Sequence, residues 1–396
     1  MINKRYDQIS REDIEALVSN EIKESTTLDY KEQLSGGTNS EKKEFLADIS
    51  SFANASGGYI IYGVSEKRDS NGKATGLPRA AEGLSITNAD AEIRRMDSLI
   101  ANGIDPRIIG IRIKAIDGFP KGPIIIIFIP KSWISPHMVT FQTTSRFYSR
   151  NNAGKYPLDV TEIRSAFIFS ETLPEKIRRF RDSRLARIIA DETPIKLNTS
   201  AKVVLHILPV SSFNPLFQID LRSEENLKIM RKLPPINSGG WNHRYNLDGA
   251  LNYEESNSYI QLFRNGAIES VDTLLLSEEL NGNKKLIPSI AFEKEIIQAA
   301  SGYLSAEHDF GLEPPIFVLL SVLGAKDYRI AAGRGYHYLY KNPIIEDVLV
   351  LPETVIESFE DNIAASLRGS FDVLWQAADW PCSLNYDEKG NWTDKN

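Results

Sequence analysis

The feature that most constrains this chain is an abrupt change from helical to strand-like sequence near its N-terminus. Ser40 and Glu41 predict a helix start, and the apolar stripe behind them has helical spacing: Phe45, Leu46, Ile49, Phe52 and Ala53. Residues 59–64 then form a strongly β-prone run, directly after Gly57 and Gly58. The two glycines indicate a helix stop followed by a strand that passes close to a neighbour.

The segments around this change predict an α+β domain. Ser10 is a candidate N-cap for a first helix, residues 27–33 are expected to form a strand, and a further helix is expected at about 90–101. Two more strands are predicted at 108–116 and 122–129. Because helices and strands alternate irregularly, the pattern favours an α+β fold over a regular array of βαβ units.

A chain of 396 residues, 42% of them apolar and 25% charged, is long enough for two domains. We predict a first domain over residues 1–170, a basic amphipathic linker helix over 171–195 and a C-terminal α+β accessory domain over 196–396. In the last of these, Asn265-Gly266 predicts a hairpin turn between two strands, and residues 217–221 are expected to add another strand. No motif in this C-terminal part identifies a chemistry.

Several classes of protein are excluded by the sequence. The longest apolar run, residues 124–129, is far shorter than the roughly 20 residues that a membrane-spanning helix needs. The first residues lack the apolar segment of a signal peptide, so we expect a cytoplasmic protein without a membrane partner. Cys382 is the only cysteine, which excludes an internal disulfide and a cysteine-based zinc cluster.

The net charge of −7 is unevenly divided along the chain. Residues 1–192 hold 28 Lys+Arg against 26 Asp+Glu, so the acidic excess lies after residue 192. The predicted linker helix carries cations along one side, which could follow a phosphate backbone or form a solvated face paired with acids of the second half. Both alternatives remain open. The candidate nucleic-acid-binding cations of this helix are Lys176, Arg178, Arg181 and Arg184.

A second basic segment interleaves cations with aromatic residues. Arg146 and Arg150 flank Phe147 and Tyr148, as in many nucleic-acid-binding surfaces, although a strand with one apolar face explains the same pattern. His137 lies nearby, and we interpret it as a satisfied loop histidine in preference to a phosphate contact.

Three carboxylates are candidates for a metal site. Asp29 and Lys31 alternate along the predicted strand, so their side chains share one of its faces. Glu24 precedes that strand, and Glu66 follows the run at 59–64, so the three acids converge if the two strands pair. Clustered carboxylates repel each other, and oxygen ligands of this kind suit Mg²⁺ or Mn²⁺. Acids at strand ends are nonetheless common on protein surfaces, so the spacing by itself is a weak signal.

Two runs, residues 24–31 and 52–66, resemble the motifs of the Schlafen AlbA_2 family. The family shows Glu-Ser/Thr-x-x-x-Glu-Phe-Lys, followed by Phe-Ala-Asn-x-x-Gly-Gly-x-x-x-x-Gly-Val-Asp-Asp/Glu. The resemblance extends over roughly residues 10 to 165, where Pro136-His137, Phe147-Tyr148 and Arg150 resemble later landmarks of the family. Asp29 stands where Glu is usual in the family, and Glu66 stands where Asp is usual in its nuclease members.

The resemblance implies an activity as well as a fold. It assigns Glu24, Asp29 and Glu66 to a three-carboxylate Mg²⁺ or Mn²⁺ site that cleaves RNA, tRNA among the substrates, in phage defence or stress response. Lys31 would offset charge on the phosphate. In Schlafen nucleases two such lobes of one chain embrace the substrate; this chain has one motif set, so we predict a homodimer or larger oligomer.

Two functions of other classes also stay open. The chain could be a nucleic-acid-binding regulator without catalysis, or a nucleotide-binding protein. The absence of any Gly-x-x-x-x-Gly-Lys-Ser/Thr run argues against the latter. Metal-dependent cleavage and nucleotide-dependent stabilisation separate the three.

Overall fold

The computed structural model describes residues 6–34, 37–198, 201–214, 217–279, 284–333 and 341–393. It has the α+β class that the sequence predicts. The chain divides into two compact units, Met1–Leu173 and Pro174–Asn396. Among the described residues, no helix is both long and apolar enough to cross a membrane.

The first unit is built around a four-stranded sheet of order β1-β2-β7-β6, a second sheet of order β10-β9-β8-β5 and the hairpin β3-β4. Its helices are α1 (Arg11–Ser19), α2 (Asn39–Asn54), α3 (Ala89–Gly103) and the beginning of α4 (Val160–Ile189). Its strands are β1 (Leu28–Lys31), β2 (Gly58–Tyr62), β3 (Val64–Arg68), β4 (Ala74–Ala81), β5 (Ile104–Asp105), β6 (Arg112–Phe119), β7 (Gly122–Ile129), β8 (Met138–Val139), β9 (Arg146–Asn151) and β10 (Gly154–Pro157).

The four-stranded sheet is covered on both faces. Ile60 and Tyr62 of β2 join the apolar cluster of α2 and α3, while Ile61, between them, joins the cluster of α1 on the opposite face. Such alternation follows from the two-residue period of a strand. Both faces being buried explains why residues 124–129 are continuously apolar.

The helix-to-strand change occurs where the sequence predicts it, with a tight crossing at the glycines. Helix α2 starts at a capping box in which Thr38 accepts from the Glu41 backbone N–H, and it ends at Asn54. Gly58 has φ +139°, and a Cβ there would lie 2.2 Å from the Thr27 carbonyl oxygen. A side chain is therefore excluded at this crossing. The predicted strand at 59–64 is interrupted at Gly63, where β2 ends and β3 follows.

The second unit contains an eight-stranded sheet with the path β12-β13-β14-β15-β11-β18-β20, in which β21 also pairs with β18, and a three-stranded sheet of order β16-β17-β19. Its remaining helices are α5 (Glu224–Lys232), α6 (Ser289–Asp309) and α7 (Ile363–Ala377). Its strands are β11 (Lys202–Pro209), β12 (Asn242–Tyr245), β13 (Gly249–Glu254), β14 (Ser258–Phe263), β15 (Ile268–Asp272), β16 (Ser277–Glu279), β17 (Lys284–Pro288), β18 (Ile316–Leu323), β19 (Arg329–Ala331), β20 (Val348–Val350) and β21 (Thr354–Ile356).

The hairpin predicted from Asn265-Gly266 is present between β14 and β15. The strand expected at residues 217–221 is not. Phe217 and Gln218 belong to an irregular segment whose Ile219 N–H donates to the Arg264 carbonyl, without a ladder of paired residues. The alternation of Phe217, Ile219 and Leu221 with polar residues is typical of a strand, but Ile219 is buried by packing beside the hairpin turn.

The basic helix differs from its predicted form. Helix α4 begins at Val160 and continues through Pro174, and the division between the two units falls inside it. Two of its cations are not on a solvated face: Arg181 is 8% exposed and Arg184 is 7% exposed. Arg184 makes two hydrogen bonds of 2.8 Å to the buried Glu269 carboxylate, and Arg181 lies 3.4 Å from Glu353. These two cations are held by acids of the second unit, and the phosphate-tracking surface predicted for them is corrected accordingly.

Candidate functional site

Strand β1 places Asp29 and Lys31 on the sheet face that is covered by α2. It runs parallel to β2 with Asp29 beside Ile60 and Lys31 beside Tyr62. Leu28 and Tyr30, which alternate with them, are buried in the cluster of α1 on the other face. Asp29 is 7% exposed, so its carboxylate is a nearly buried charge that requires cationic or hydrogen-bonding partners.

Glu24 approaches the same point from the segment before β1. Its Oε1 accepts from the Tyr30 N–H at 2.8 Å, and its own N–H donates to the Gly76 carbonyl at 2.8 Å. Burial raises the pKa of Glu24 to about 7, and the neighbouring Asp29 and, to a smaller extent, Glu66 act in the same direction against the Tyr30 hydrogen bond. After burial, the charge of Asp29 is the largest cause of this rise, so the two carboxyl groups lie close enough to repel each other.

Glu66 lies on β3, in a hairpin with an irregular register at this residue. Its Oε2 accepts from the Gly76 N–H at 3.3 Å. Gly76 is also the neighbour of Glu24, whose Oε2 lies 3.4 Å from the position that a Cβ of Gly76 would occupy. Glu24 and Glu66 therefore both contact the Gly76 backbone, and Asp29 lies next to Glu24.

Lys31 links this group to a buried acid of α2. Its Nζ lies 3.0 Å from Asp29 Oδ1 and 3.9 Å from Asp48 Oδ2. Burial alone would lower the pKa of Lys31, but the charges of Asp48 and Asp29 more than offset it, so the pKa is raised. Lys31 is a cation at every physiological pH, which suits charge stabilisation and not proton abstraction.

The hairpin of β9 and β10 delivers two more cations. Arg150 and Lys155 are paired directly opposite each other in the β9–β10 hairpin, so both side chains project from the same face of that hairpin. Lys155 donates to Asp48 at 2.8 Å and also pairs with Glu44. The partners of Lys155 are thus both on α2, and the lysine fixes Asp48 next to Lys31.

Arg150 is the most buried cation of the site, with 5% of its side chain exposed. Its guanidinium stacks on the Phe52 ring at 3.6 Å from the centroid, and Nη2 lies 3.6 Å from Asp29 Oδ2 and 3.4 Å from the Ser25 carbonyl oxygen. Among the described residues, Nε and Nη1 of Arg150 have no hydrogen-bond partner. Both nitrogens are buried, so the guanidinium contributes positive charge beside the carboxylate cluster and does not offer these donors to solvent.

The other predicted site residues are elsewhere. Arg146 is the exposed first residue of β9, paired with Val139, and Lys176 is exposed on α4. Arg178 is half-exposed and lies 3.4 Å from Glu353. His137 is fully buried, with Nδ1 2.7 Å from the Pro106 carbonyl oxygen, and burial lowers its pKa.

Three residues of the region were not among the predicted site residues. Asn54 ties two segments together, since its amide donates to the His137 and Tyr148 carbonyls at 2.9 and 2.8 Å and accepts from the His137 N–H. Asp48 had a sequence signal, because an acid three residues after Phe45 lies within the apolar stripe of the helix. Lys155 had none, since its place depends on the hairpin register.

The donor set of the site fits a hard divalent cation in chemistry. In the described part of the chain, no three His, Cys, Asp or Glu side chains are already grouped for a metal ion. Burial and the neighbouring Asp29 raise the pKa of Glu24, however, and a cation bound between the two carboxylates would relieve the same repulsion. Carboxylate oxygens without nitrogen or sulfur donors suit Mg²⁺ or Mn²⁺. The Glu66 carboxylate, in contrast, accepts a hydrogen bond from the Gly76 backbone N–H.

Two solved structures are similar to part of this chain. A solved N-terminal domain of an ATP-dependent DNA helicase RecG-related protein from Nitrosomonas europaea is similar at 17% identity and a TM-score of 0.24, covering 32% of this chain and 75% of that one. The DIP2311 protein from Corynebacterium diphtheriae is similar at 15% identity and a TM-score of 0.24, covering 37% of this chain and 26% of that one.

At these values neither solved structure defines the fold or the activity of this chain. No curated protein matches it. The family model described as Schlafen, AlbA_2 matches residues 24–159, a range that holds every residue of the acid and cation cluster. Membership of this family suggests a nucleic-acid-related function. Residues 24–159 of this chain are a Schlafen AlbA_2 domain.

Proposed function

We propose that this chain is a metal-dependent endonuclease of nucleic acid, with RNA of tRNA-like form as the favoured substrate, acting in the cytoplasm in phage defence or a stress response. The observation that carries the proposal is the Glu24–Asp29 pair. Glu24, whose pKa burial and the charge of Asp29 raise to about 7, lies with Asp29 beside the buried cation Arg150. The two acids suit a divalent cation, and the neighbouring arginine suits a phosphate bound to that cation.

The residues have distinct roles in this proposal. Glu24, Asp29 and Glu66 would hold Mg²⁺ or Mn²⁺, which when bound supplies Lewis acidity and lowers the pKa of a bound water. Arg150 would add positive charge beside the bound phosphate, because stacking on Phe52 and the approach to Asp29 hold its guanidinium in place. Lys31 stays protonated and neutralises charge that develops on the phosphate during cleavage.

The test is cleavage of tRNA, single-stranded DNA and duplex DNA with Mn²⁺, Mg²⁺ or excess chelator. The variants are Glu24→Gln, Asp29→Asn and Glu66→Gln, and the matched control is Glu15→Gln, an exposed acid of α1. We expect metal-dependent cutting, preferentially of RNA, by the parent and the control, and a loss of at least a hundredfold in each site variant. Undiminished cutting by all three site variants, or by the parent in chelator, would refute the proposal.

A second candidate, a nucleic-acid-binding regulator without catalysis, is favoured by one observation. Both oxygens of Asp29 already face cations, with Lys31 at 3.0 Å and Arg150 at 3.6 Å. A site that balances its own charge in this way can bind phosphate without a metal. Binding that is insensitive to Mn²⁺, together with no cleavage of any of the three substrates, would select this function.

The proposed nuclease includes a homodimer or larger oligomer. One AlbA_2 domain is matched in this chain, and a second copy would supply the other lobe that embraces the substrate. Light scattering at micromolar concentration should give at least twice the 44.4 kDa chain mass. A monomer with full activity would remove this part of the proposal.

A further inference from the structure

The second unit contains a cavity of about 350 Å³ beside the turn between β14 and β15. Phe180, Phe217 and Phe263 form apolar parts of its wall. The rings of Phe180 and Phe263 meet edge to face with centroids 5.7 Å apart, which leaves ring surface turned toward the opening. The volume lies in the range of small-ligand sites, and three aromatic walls suit a flat, polarisable ligand.

Two of these walls rest on a fully buried charge network. Glu269 accepts from Arg184 through both oxygens and also from Tyr259 and His206, at 2.8 to 3.0 Å. Burial would raise the pKa of Glu269, but these partners lower it to about 2, so Glu269 is a carboxylate throughout the neutral range. The His206 ring meets Phe180 at 5.5 Å and the Arg184 guanidinium meets Phe263 at 5.0 Å.

This network makes the aromatic walls rigid. A side chain that moved would expose or unpair a buried charge, which is costly. Pre-organised walls lose little entropy when a ligand binds, so the cavity is built for a ligand of fixed shape.

Two polar groups of the cavity lack protein partners. Ser212 is 7% exposed, and its hydroxyl makes no hydrogen bond to any residue that the structure describes. The Asp248 carboxylate likewise accepts no hydrogen bond within the described residues, although its charge helps to raise the pKa of Arg184, which burial alone would lower. Arg264 lies exposed at the same cavity, with its Nε held by the Leu247 carbonyl at 3.2 Å.

We propose that this cavity binds a guanine base. A carboxylate accepts two N–H groups side by side, and guanine is the base whose Watson–Crick edge presents two adjacent donors, N1–H and the 2-amino group. Adenine, cytosine and uracil each place an acceptor next to their donor, which a carboxylate repels. The aromatic walls stack on the base, and Arg264 meets an attached phosphate.

The base arises from one of two sources, a free guanine nucleotide or a guanosine within a single strand. The assignment stands on the second unit alone and does not rest on the proposed nuclease. Binding to this cavity is measured without cleavage, so failure of either proposal leaves the other intact.

The experiment is titration calorimetry on the full-length chain with GMP, IMP, AMP, CMP and UMP, and with single-stranded tetranucleotides that contain one guanosine or none. We expect saturable binding of GMP, and binding of IMP weaker by about tenfold, since it lacks the 2-amino donor. The other three should bind more weakly still. Tighter binding of the guanosine tetranucleotide than of GMP assigns the strand as the source, and the reverse order assigns the free nucleotide.

Two variants test the residues. Asp248→Asn should weaken GMP binding by roughly tenfold or more and reduce the difference between GMP and IMP, whereas Asp309→Asn, an exposed acid at the end of α6, should leave both unchanged. Phe263→Leu keeps the apolar volume but removes a stacking surface, and it should weaken all base binding. The absence of saturable GMP binding, equal affinity for all five nucleotides, or an Asp248→Asn variant that binds GMP like the parent would overturn the proposal.

Discussion

The pairing of Glu24 with Asp29 predicts that replacing one charge will stabilise the metal-free protein at high pH. Glu24→Gln keeps the size of the side chain and the oxygen that accepts from the Tyr30 N–H. It removes the charge that burial and Asp29 disfavour. We therefore expect the variant to be more stable than the parent above pH 7 and of similar stability near pH 4.5.

The magnitude follows from the pKa of Glu24, which is 4.5 in an unfolded chain and about 7 in the folded one. Because the pKa of Glu24 is raised in the folded protein, its contribution to the free energy of unfolding is fully present below pH 4.5. This contribution is lost as the pH rises through 7. At about 1.4 kcal/mol per pH unit, the parent loses at most roughly 3 kcal/mol across this window. Glu24 is partly exposed, so solvent screening reduces the expected loss to about 1–3 kcal/mol.

The measurement is hydrogen exchange of peptides covering residues 28–31 and 58–62 of the full chain, in chelator, at pH 5 and pH 8, with rates corrected for the intrinsic effect of pH. Protection should fall between the two pH values in the parent and in the control Glu15→Gln, and should fall less in Glu24→Gln. Saturating Mn²⁺ should restore protection of the parent at pH 8. Equal pH dependence in the parent and Glu24→Gln would show that Glu24 does not carry a raised pKa.

Three further predictions concern other contacts. Arg184→Gln should reduce the free energy of unfolding of the second unit by about 3–5 kcal/mol, because it leaves the buried Glu269 unpaired, whereas Arg178→Gln should change it by less than about 0.5 kcal/mol, as urea denaturation can measure. Arg146→Gln should weaken nucleic-acid binding and lower the slope of log affinity against log salt by about 1, and an unchanged slope would remove Arg146 from the interface. Asn54→Ala should reduce the free energy of unfolding of the first unit by about 2–3 kcal/mol, because three hydrogen bonds are lost, and a change near zero in thermal denaturation would contradict its bridging role.

The parts of the site that the sequence predicted are those fixed by local periodicity. Asp29 and Lys31 alternate with apolar residues, so the strand pattern alone places them on one face. Gly57 and Gly58 mark a crossing that only a residue without a side chain can make, and Gly58 lies against Thr27 in the structure. The α+β fold class could be predicted for the same reason, because each helix and strand has its own periodic pattern of apolar residues.

The parts that the sequence did not predict depend on partners far along the chain. The partner of Arg184 is Glu269, 85 residues later, and no local pattern distinguishes a buried arginine from one on a solvated helix face. Lys155 reaches Asp48 across 107 residues through the register of a hairpin. Long-range ion pairs are chosen by tertiary packing, so a basic helix face read from sequence overstates the charge that is available to phosphate.

The balance of charge around Asp29 links these observations to the proposed chemistry. Asp29 and Asp48 alone would be two nearly buried anions, and they are paired with Lys31 of β1, Arg150 of β9 and Lys155 of β10. The cations exceed these two acids by one, and the excess is largest where Arg150 keeps unused donors. Glu24, half protonated near pH 7, and Glu66 together outweigh this excess of one cation, so a phosphate would meet a net attraction here only with a divalent cation bound among the acids. The hairpin of β9 and β10 therefore lessens the repulsion that an acid-rich site exerts on a polyanionic substrate, and substitution of either hairpin cation should weaken substrate binding before it affects the acids.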